Sequence, residues 1–308
     1  MSILNITNDG NYPELIVLFR TVFQLGPVDQ DTLIEMCCVE DNSHLKGILK
    51  RWTTLGLFIE EDKKIQVNKQ LDERLNDKEQ LDVLTRNLPQ LCRRLVFSTK
   101  NCTPVLADEK YEKEEKNAGK CSDFVRAIAW ALAQDIYEFP TTWDGEAEQM
   151  IIQQVSLLSQ PLATNFIQND TRFNGLRFWA QYLGFATGDS KTFFLDPTSA
   201  VREELSAVFG NNDELSAPDF VNKLHSILPV LDFGVYRKEI ENVLRPETWV
   251  PPPLNHLSMS LSFAIKRLEF DGIVVLEDRS DSSNTLGLTR KKNKPWGRFS
   301  HLQWRGQS

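Results

Sequence analysis

The sequence predicts a mainly helical α+β protein with small β-hairpins, in which three similar units are joined by helical linkers. One pattern predicts this class. A segment with helical periodicity ends in glycine and continues at once into β-forming residues, and this occurs three times, over 45–58, 173–185 and 261–274. The interval from the first apolar residue to the glycine is the same in each copy. Further helical segments precede each copy. The equal spacing argues against coincidence as an explanation for the three copies.

The three glycines predict how each helix ends. Gly56, Gly184 and Gly272 have no Cβ atom, so they adopt the left-handed conformation after a helix at low cost. A helix that ends in this way and leads into a hairpin is typical of the third helix of a winged helix-turn-helix. We therefore expect three winged helix-turn-helix-like units.

The first unit is expected within residues 1–70. An apolar run over 15–25 predicts its first helix, and Asp29 is placed to cap a second helix. Apolar residues at helical spacing over 45–55 predict the third helix with one buried stripe. Two β-rich segments separated by a charged turn then predict a hairpin, the wing, over 57–67.

The middle of the chain is expected to contain a linker and the second unit. Residues 71–121 predict a helical linker and a charged loop, and residues 122–215 an acidic helical segment with a winged-helix-like unit. In that unit, helices are predicted over 146–159 and 162–168, and the wing over 185–195.

The third unit is expected over residues 216–308, with a basic C-terminal tail. Its first helix is predicted from 218 to 231 and its third helix over 257–270. The wing strands are predicted at 273–276 and 285–288.

Composition limits the class of protein. The 308 residues are 41% hydrophobic and 25% charged, as in an ordinary globular protein of two or three domains. No apolar stretch reaches the roughly 20 residues of a membrane span, and the N-terminus has no signal-peptide pattern. The five cysteines form an odd set without CxxC spacing. We therefore expect a cytoplasmic protein with no membrane association.

Charge is distributed unevenly along the chain. The net charge is −8, yet residues 101–215 carry 9 basic and 18 acidic side chains, whereas residues 216–308 carry 13 and 10. After Asp281 every charged side chain is basic. A polyanionic partner is therefore expected at the C-terminal end rather than in the middle.

The sequence contains no strong pattern of an enzyme active site. The segment 184–192 resembles a phosphate-binding loop, but Asp189 and Ser190 separate the last glycine from the lysine, so a hairpin turn is the better interpretation. A metal-dependent nuclease would need convergent carboxylates, and Glu114 and Glu115 lie in a charged run that more simply predicts a solvated loop. The histidines have no metal-binding spacing. We expect no catalytic residues, metal site or cofactor.

The third helices of the first and third units offer hydroxyl groups and a Lys-Arg pair on the side opposite the apolar stripe. Such side chains suit phosphates and base edges in a major groove. The basic tail adds cations that would release counterions from DNA. The predicted DNA-binding residues are Ser43, His44, Lys46, Lys50, Arg51, Ser260, Ser262, Lys266, Arg267, Arg290, Lys291, Lys292, Lys294 and Arg298. Alternatively, the tail is only a solubilising loop before a last strand over 300–305.

The third helix of the second unit has a different character. Phe178, Trp179 and Tyr182 occur with arginines in the most acidic part of the chain. Aromatic residues with arginine are typical of protein interfaces, and surrounding acid would repel phosphate. This helix is therefore predicted to contact a protein.

These observations favour a non-catalytic DNA-binding or DNA-sensing subunit of a larger assembly, with double-stranded DNA as the expected ligand. The alternative is a protein adapter whose winged helices all dock on an ATPase or helicase partner, without direct DNA contact.

The whole-chain layout, with winged-helix patterns at both ends and an acidic interior, resembles DpdG-like accessory proteins of bacterial defence clusters associated with deazaguanine bases in DNA. The resemblance covers overall length and layout. It implies DNA modification and restriction of foreign DNA, including antiviral defence, alongside separately encoded helicase, ATPase and nuclease subunits. It transfers no functional residues to this sequence.

Overall fold

The computed structural model describes residues 3–5, 11–37, 42–102, 105–106, 121–145, 147–149, 151, 167, 169–189, 192–246, 249–280 and 284–306. The chain divides into two compact units. The N-terminal unit is Ile6–Asn101, and the C-terminal unit is Met1–Asn5 with Cys102–Ser308. Helices predominate in both, with small antiparallel sheets and hairpins, so the predicted α+β class is confirmed.

The N-terminal unit begins with the three predicted helices and the predicted hairpin. These elements are α1 (Asn11–Leu25), β1 (Val28–Asp29), α2 (Gln30–Cys37), α3 (Asn42–Leu55), β2 (Phe58–Glu61) and β3 (Lys64–Val67). The strands form an antiparallel sheet in the order β1-β3-β2, with Phe58 opposite Val67. Asp62 and Lys63 form a tight turn with positive φ angles of 50° and 63°. This turn brings β2 directly onto β3.

The remainder of the N-terminal unit is helical. Three short 3-10 turns are followed by three helices, namely α4 (Leu81–Arg86), α5 (Leu88–Val96) and α6 (Thr99–Cys102). Asn101 is fully buried, and its side-chain amide donates to the carbonyl oxygens of Leu55 and Leu95, each at 2.9 Å. The amide nitrogen thus joins the end of α3 to α5 through two hydrogen bonds.

The C-terminal unit surrounds a central helix, α7 (Ser122–Ala133), in which every residue is buried. The elements that follow are α8 (Asp170–Tyr182), β4 (Ala186–Gly188), β5 (Phe193–Leu195), α9 (Thr198–Phe209), β6 (Glu214–Ser216), α10 (Ala217–Ile227), α11 (Val235–Glu241), α12 (Met259–Phe270), β7 (Val274–Glu277), β8 (Leu286–Arg290), β9 (Lys294–Phe299) and β10 (His301–Trp304). The predicted last strand is thus present as β10. Most of the predicted helices over 146–159 and 162–168 lie outside the described residues.

The strand pairing predicted for the third wing is wrong. β7 pairs with β10, with Glu277 opposite His301, and the three-stranded sheet has the order β6-β10-β7. The segment predicted as the partner of β7 is instead β8, which pairs with β9. Positive φ angles at Lys292 and Asn293 make a tight turn that folds β8 onto β9. The β8-β9 hairpin therefore lies between β7 and its partner strand β10, which comes later in the chain than predicted.

The glycine prediction is confirmed in all three copies. Gly56, Gly184 and Gly272 have φ angles of 98°, 81° and 72°. In each case the following residue donates its backbone N–H to the carbonyl five residues earlier, at 2.8, 2.7 and 2.9 Å respectively. These bonds satisfy carbonyl groups that the helix end would otherwise leave without a partner.

Candidate nucleic-acid interface

Helix α3 presents a polar face to solvent. Leu45, Ile48 and Trp52 are buried, which turns Ser43, Lys46 and Lys50 outward, where all three are exposed. His44 and Arg51 are half-buried at the edges of this face, and Nε and Nη1 of the Arg51 guanidinium are buried. The structure therefore brings together all five residues predicted on this helix. We call these five residues the α3 face.

A carboxylate on the preceding helix partly balances the α3 face. The ammonium of Lys46 lies 3.2 Å from Oδ1 of Asp31, and the Asp31 side chain is 86% exposed. An ion pair this exposed is screened by solvent and contributes little stability. A phosphate could therefore replace Asp31 at Lys46 at low cost.

Helix α12 does not present the predicted polar face. Ser260 and Ser262 are fully buried, so their predicted outward position is wrong. The Ser260 hydroxyl donates to the Leu132 carbonyl at 2.8 Å, and the Ser262 hydroxyl accepts the Thr289 N–H at 2.8 Å. These hydroxyls join α12 to α7 and β8. Because buried polar groups need hydrogen-bond partners, both serines are committed to the interior.

The first turn of α12 completes this buried network. Asp232 is 6% exposed, and its carboxylate accepts the backbone N–H of Ser258 at 2.6 Å and the Ser258 hydroxyl at 2.7 Å. The Ser258 hydroxyl also lies 2.9 Å from that of Ser260. A carboxylate at a helix N-terminus is favoured by the helix dipole. The network therefore anchors α12 in the C-terminal unit.

The two cations predicted on α12 are held by carboxylates of the same unit. Lys266 lies 2.6 Å from Glu269, one turn further along the helix. Arg267 donates to Asp196, whose side chain is fully buried. Asp196 comes from the segment between β5 and α9, and no local sequence signal could have indicated it. These cations are poorly available to phosphate.

The basic tail predicted from the sequence is an ordered hairpin, β8 and β9, which we call the basic hairpin. Five of its side chains are exposed cations, namely Arg290, Lys291, Lys292, Lys294 and Arg298. Lys291 lies 3.5 Å from Glu138, and Arg298 lies 2.7 Å from Asp278. For Arg290, Lys292 and Lys294, no ion pair with another described residue is present. The hairpin thus concentrates positive charge that is only partly balanced.

The hairpin tip is fixed by contacts to its own unit. The backbone N–H of Lys292 donates to Asp135 at 3.1 Å, and the Asn293 amide donates to the Val250 carbonyl at 3.4 Å. Phe299, at the other end of β9, is fully buried. The hairpin is therefore a positioned surface and not a free tail.

The protein interface predicted on α8 is only partly available. Trp179 is fully buried, and its indole N–H donates to the Ile3 carbonyl at 3.0 Å, so its prediction as an exposed contact residue is wrong. Phe178 and Tyr182 are half-buried and stack with ring centroids 6.5 Å apart. Burial lowers the pKa of the nearby Arg177 guanidinium. The wide apolar side of this helix belongs to the core.

An aromatic groove lies beside α12 and β9, and no sequence pattern predicted it. Its lining residues are Phe263, Lys266, Arg267, Glu269, Phe270 and Trp296, around a volume of about 430 Å³. Phe270 is 91% exposed. The sequence signal for this groove is the pair Phe263 and Phe270, which lie seven residues apart on either side of Lys266 and Arg267. Standard periodicity assigns such rings to the core, so the signal is ambiguous.

The remaining sequence patterns concern a phosphate-binding loop, a nuclease site, a metal site and a membrane span. In the segment that resembles a phosphate-binding loop, Ala186–Gly188 form strand β4 of the β4-β5 hairpin, with Gly188 opposite Phe193, as expected. Glu114 and Glu115 are outside the described residues. Within the described ranges, no group of three or more His, Cys, Asp or Glu side chains could hold a metal ion. No helix of the described chain is long and apolar enough to cross a bilayer.

Comparison with known proteins identifies the family. A family model described as DpdG-like matches residues 1–282, which is most of the chain and ends before β8. No curated protein and no solved structure matches the sequence. The resemblance noted in the sequence is thereby confirmed. The chain belongs to the DpdG-like family, whose members are components of Dpd DNA-modification defence systems.

Proposed function

We propose that the chain is a non-catalytic component of its Dpd system that contacts DNA directly. The observation that carries this proposal is the basic hairpin. Arg290, Lys292 and Lys294 are exposed, and no side-chain nitrogen of these three residues lies within 4.0 Å of a carboxylate oxygen in the described part of the chain. Clustered cations on a fixed hairpin release counterions when they meet a polyanion, which drives binding.

The order of elements in the N-terminal unit supports a winged helix-turn-helix. The order is helix, strand, helix, helix and two strands, and the strands pair as β1-β3-β2. In this arrangement α3 is the recognition helix and the β2-β3 hairpin is the wing. The exposed Ser43, Lys46 and Lys50 then face the major groove.

The C-terminal unit repeats that order with insertions. Helix α9, strand β6, helices α10 and α12, and strands β7 and β10 follow the same sequence of elements, and their strands pair as β6-β10-β7. On this basis the third winged helix begins at α9. Helix α11 and a proline-rich segment, residues 249–254, are inserted before α12, and the basic hairpin is inserted in the wing. Since α12 is anchored in the interior, we assign DNA contact in this unit to the basic hairpin.

The proposed ligand of the α3 face and the basic hairpin is cellular DNA, so the proposed site of action is the cytoplasm. Lys and Arg contacts to phosphate would give affinity without sequence specificity. Cleavage and translocation would then belong to separately encoded nuclease, helicase or ATPase subunits of the same system.

Salt-dependent DNA binding tests the proposal. Binding of the purified chain to a labelled duplex is measured by fluorescence anisotropy over a series of salt concentrations, for the wild type and for a variant with Arg290→Ser, Lys292→Ser and Lys294→Ser. If the hairpin cations contact phosphates, the triple variant should lower the slope of log K against log salt by about 2 to 3. Its affinity at low salt should fall more than about tenfold.

A matched control removes three exposed lysines outside the α3 face, the β2-β3 hairpin and the basic hairpin, with Lys100→Ser, Lys223→Ser and Lys238→Ser. This variant has the same net charge as the hairpin variant, so it should retain most of the wild-type slope. Absence of duplex binding by the wild type at low salt, or equal losses in the two variants, would contradict the proposal. Metal-dependent DNA cleavage by the chain alone would contradict its non-catalytic part.

One observation favours the alternative of a protein adapter. Val250 and Leu254 in the proline-rich segment are 70% and 88% exposed. Exposed apolar side chains of this size on an extended segment are suited to burial against a partner. An adapter would bind a Dpd partner in a salt-insensitive manner and would show no DNA affinity. Loss of partner binding in Leu254→Ser would support this function.

A further inference from the structure

The aromatic groove and the basic hairpin share strand β9. Trp296 lines the groove, and it is flanked on β9 by Lys294 and Arg298, which are exposed cations of the hairpin. Phe263 and Phe270 line the groove from α12. One aromatic ring of the groove therefore lies on the same strand as Lys294, a cation to which we assign phosphate contact.

A β-bulge determines the position of Trp296. Along β8 and β9, Leu288 lies opposite Gly297 and Thr289 lies opposite Pro295, so Trp296 has no residue opposite it. Gly297 has a positive φ angle of 118°, which a residue with a Cβ atom adopts only with strain. A bulge redirects the side chain of the extra residue. The regular hairpin is thus interrupted at the residue that lines the groove.

The rings, rather than the charges, are the available binding groups inside the groove. Lys266 is paired with Glu269 at 2.6 Å, and Arg267 is paired with the buried Asp196. Phe270 is almost fully exposed, while Phe263 and Trp296 are half-buried. Phe263 is held from behind by Phe194, with ring centroids 5.2 Å apart. The groove therefore offers a fixed aromatic wall and a solvent-facing ring.

We infer that the aromatic groove binds unpaired bases of single-stranded DNA whose phosphates lie along the basic hairpin. Bases of any sequence can stack on aromatic side chains, while neighbouring cations follow the backbone. In a duplex the bases already stack on one another and cannot enter the groove without unstacking. Exposed cations before and after Trp296 on β9, Lys294 and Arg298, favour a polyanion with flat rings over an apolar peptide.

This inference rests on the proposed DNA contact of the basic hairpin and adds a preference for unpaired strands. The experiment compares a labelled oligodeoxythymidine strand with a blunt duplex of the same length, by fluorescence anisotropy under one salt condition. The wild type is expected to bind the single strand more tightly than the duplex. Phe270→Ala should weaken single-strand binding roughly tenfold and change duplex binding less than about twofold.

Two further variants separate stacking from folding. Trp296→Leu keeps a large apolar side chain at the bulge but removes the indole, and it should also weaken single-strand binding selectively. Phe233→Ala removes a ring that is 41% exposed in the same unit and does not line the groove, so both DNA affinities should stay at wild-type values.

The outcomes distinguish the inference from the proposed function. Equal losses for single strand and duplex, or no loss in the Phe270 and Trp296 variants, would overturn the groove inference while leaving DNA contact by the hairpin intact. Absence of binding to either DNA would overturn the proposed function itself. If Phe270→Ala leaves DNA binding unchanged but abolishes binding to a purified Dpd partner, the groove is a protein interface and the inference is wrong.

Discussion

Helices α3 and α12 carry the same sequence pattern but form different surfaces. When Gly56 is aligned with Gly272, Lys50 falls opposite Lys266 and Arg51 opposite Arg267. On α3 the polar side is open to solvent in its own unit. On α12 the serines of the corresponding side are buried in a hydrogen-bond network. Its two cations, Lys266 and Arg267, form ion pairs with carboxylates of the same unit.

The difference arises from what packs on each helix. Ser262 occupies the position that Lys46 has on α3, and it binds the backbone of β8. Ser260, which aligns with His44, binds the last turn of α7. The inserted hairpin and the central helix supply those partners in the C-terminal unit. Polar residues on a helix therefore mark a surface only where no other element covers them.

The largest expected effect comes from placing a carboxylate at the two aligned positions. Ser262→Glu would bury a charge and remove the acceptor for Thr289, so the free energy of unfolding should fall by at least about 4 kcal/mol. Lys46→Glu, at the exposed position, should change it by only about 1 kcal/mol, although it places a second carboxylate beside Asp31. Urea denaturation followed by circular dichroism measures both. Similar losses in the two variants would mean that the two faces do not differ in burial.

Removing the carboxylate that anchors α12 should have the next largest effect. Asp232→Ala leaves the N–H and hydroxyl of Ser258 without their buried acceptor, and we expect a loss of about 2 to 4 kcal/mol in the free energy of unfolding. Asp232→Asn keeps one acceptor oxygen and should lose less. Thermal and urea unfolding provide the measurement, and an unchanged midpoint in Asp232→Ala would exclude a stabilising role for this network.

The aligned lysines provide a test on DNA. Lys50→Ala should lower the slope of log K against log salt for duplex binding by about 1, because Lys50 is exposed and has no ion pair with another described residue. Lys266→Ala should leave the slope nearly unchanged, since Glu269 already balances that ammonium. Anisotropy titrations of the two variants give the slopes. The opposite ranking would place the DNA contact on α12.

The smallest effects are expected from exposed ion pairs. Arg202 pairs with Asp271 at the end of α12, and Lys46 pairs with Asp31 beside α3. Arg202→Ala and Lys46→Ala should each change the free energy of unfolding by less than about 1 kcal/mol, because solvent screens both pairs. Denaturation at low and high salt is the measurement. A loss clearly above that value in Arg202→Ala alone would show that α12 is also held by surface charge.

Local patterns predicted the helices and the hairpin of the N-terminal unit well because these elements follow one another without insertion. The helices over Asn11–Leu25 and Asn42–Leu55 and the hairpin at 58–67 depend on periodicity, a left-handed glycine and a charged turn. Each of these signals acts over a few residues. The prediction failed for the partner of β7 because the choice of strand partner depends on residues outside any local window.

In the candidate nucleic-acid interface too, local patterns indicated some residues, while others become partners only through packing. The sequence indicated the cations of the basic hairpin and the exposed residues Lys46 and Lys50. It did not indicate that Asp196 would neutralise Arg267, or that Trp296 would join Phe270 in one groove. Side chains distant in sequence become partners only through packing.

The sequence by itself determined where helices end, where turns occur and where positive charge accumulates, because backbone sterics and the order of side chains are local properties. Only the tertiary structure decided which polar faces stay exposed. A hydroxyl stays exposed only if water, and not a distant part of the chain, is its hydrogen-bond partner. At α12 the distant partners are the Leu132 carbonyl of α7 and the Thr289 N–H of the inserted hairpin, and they bind the hydroxyls of Ser260 and Ser262.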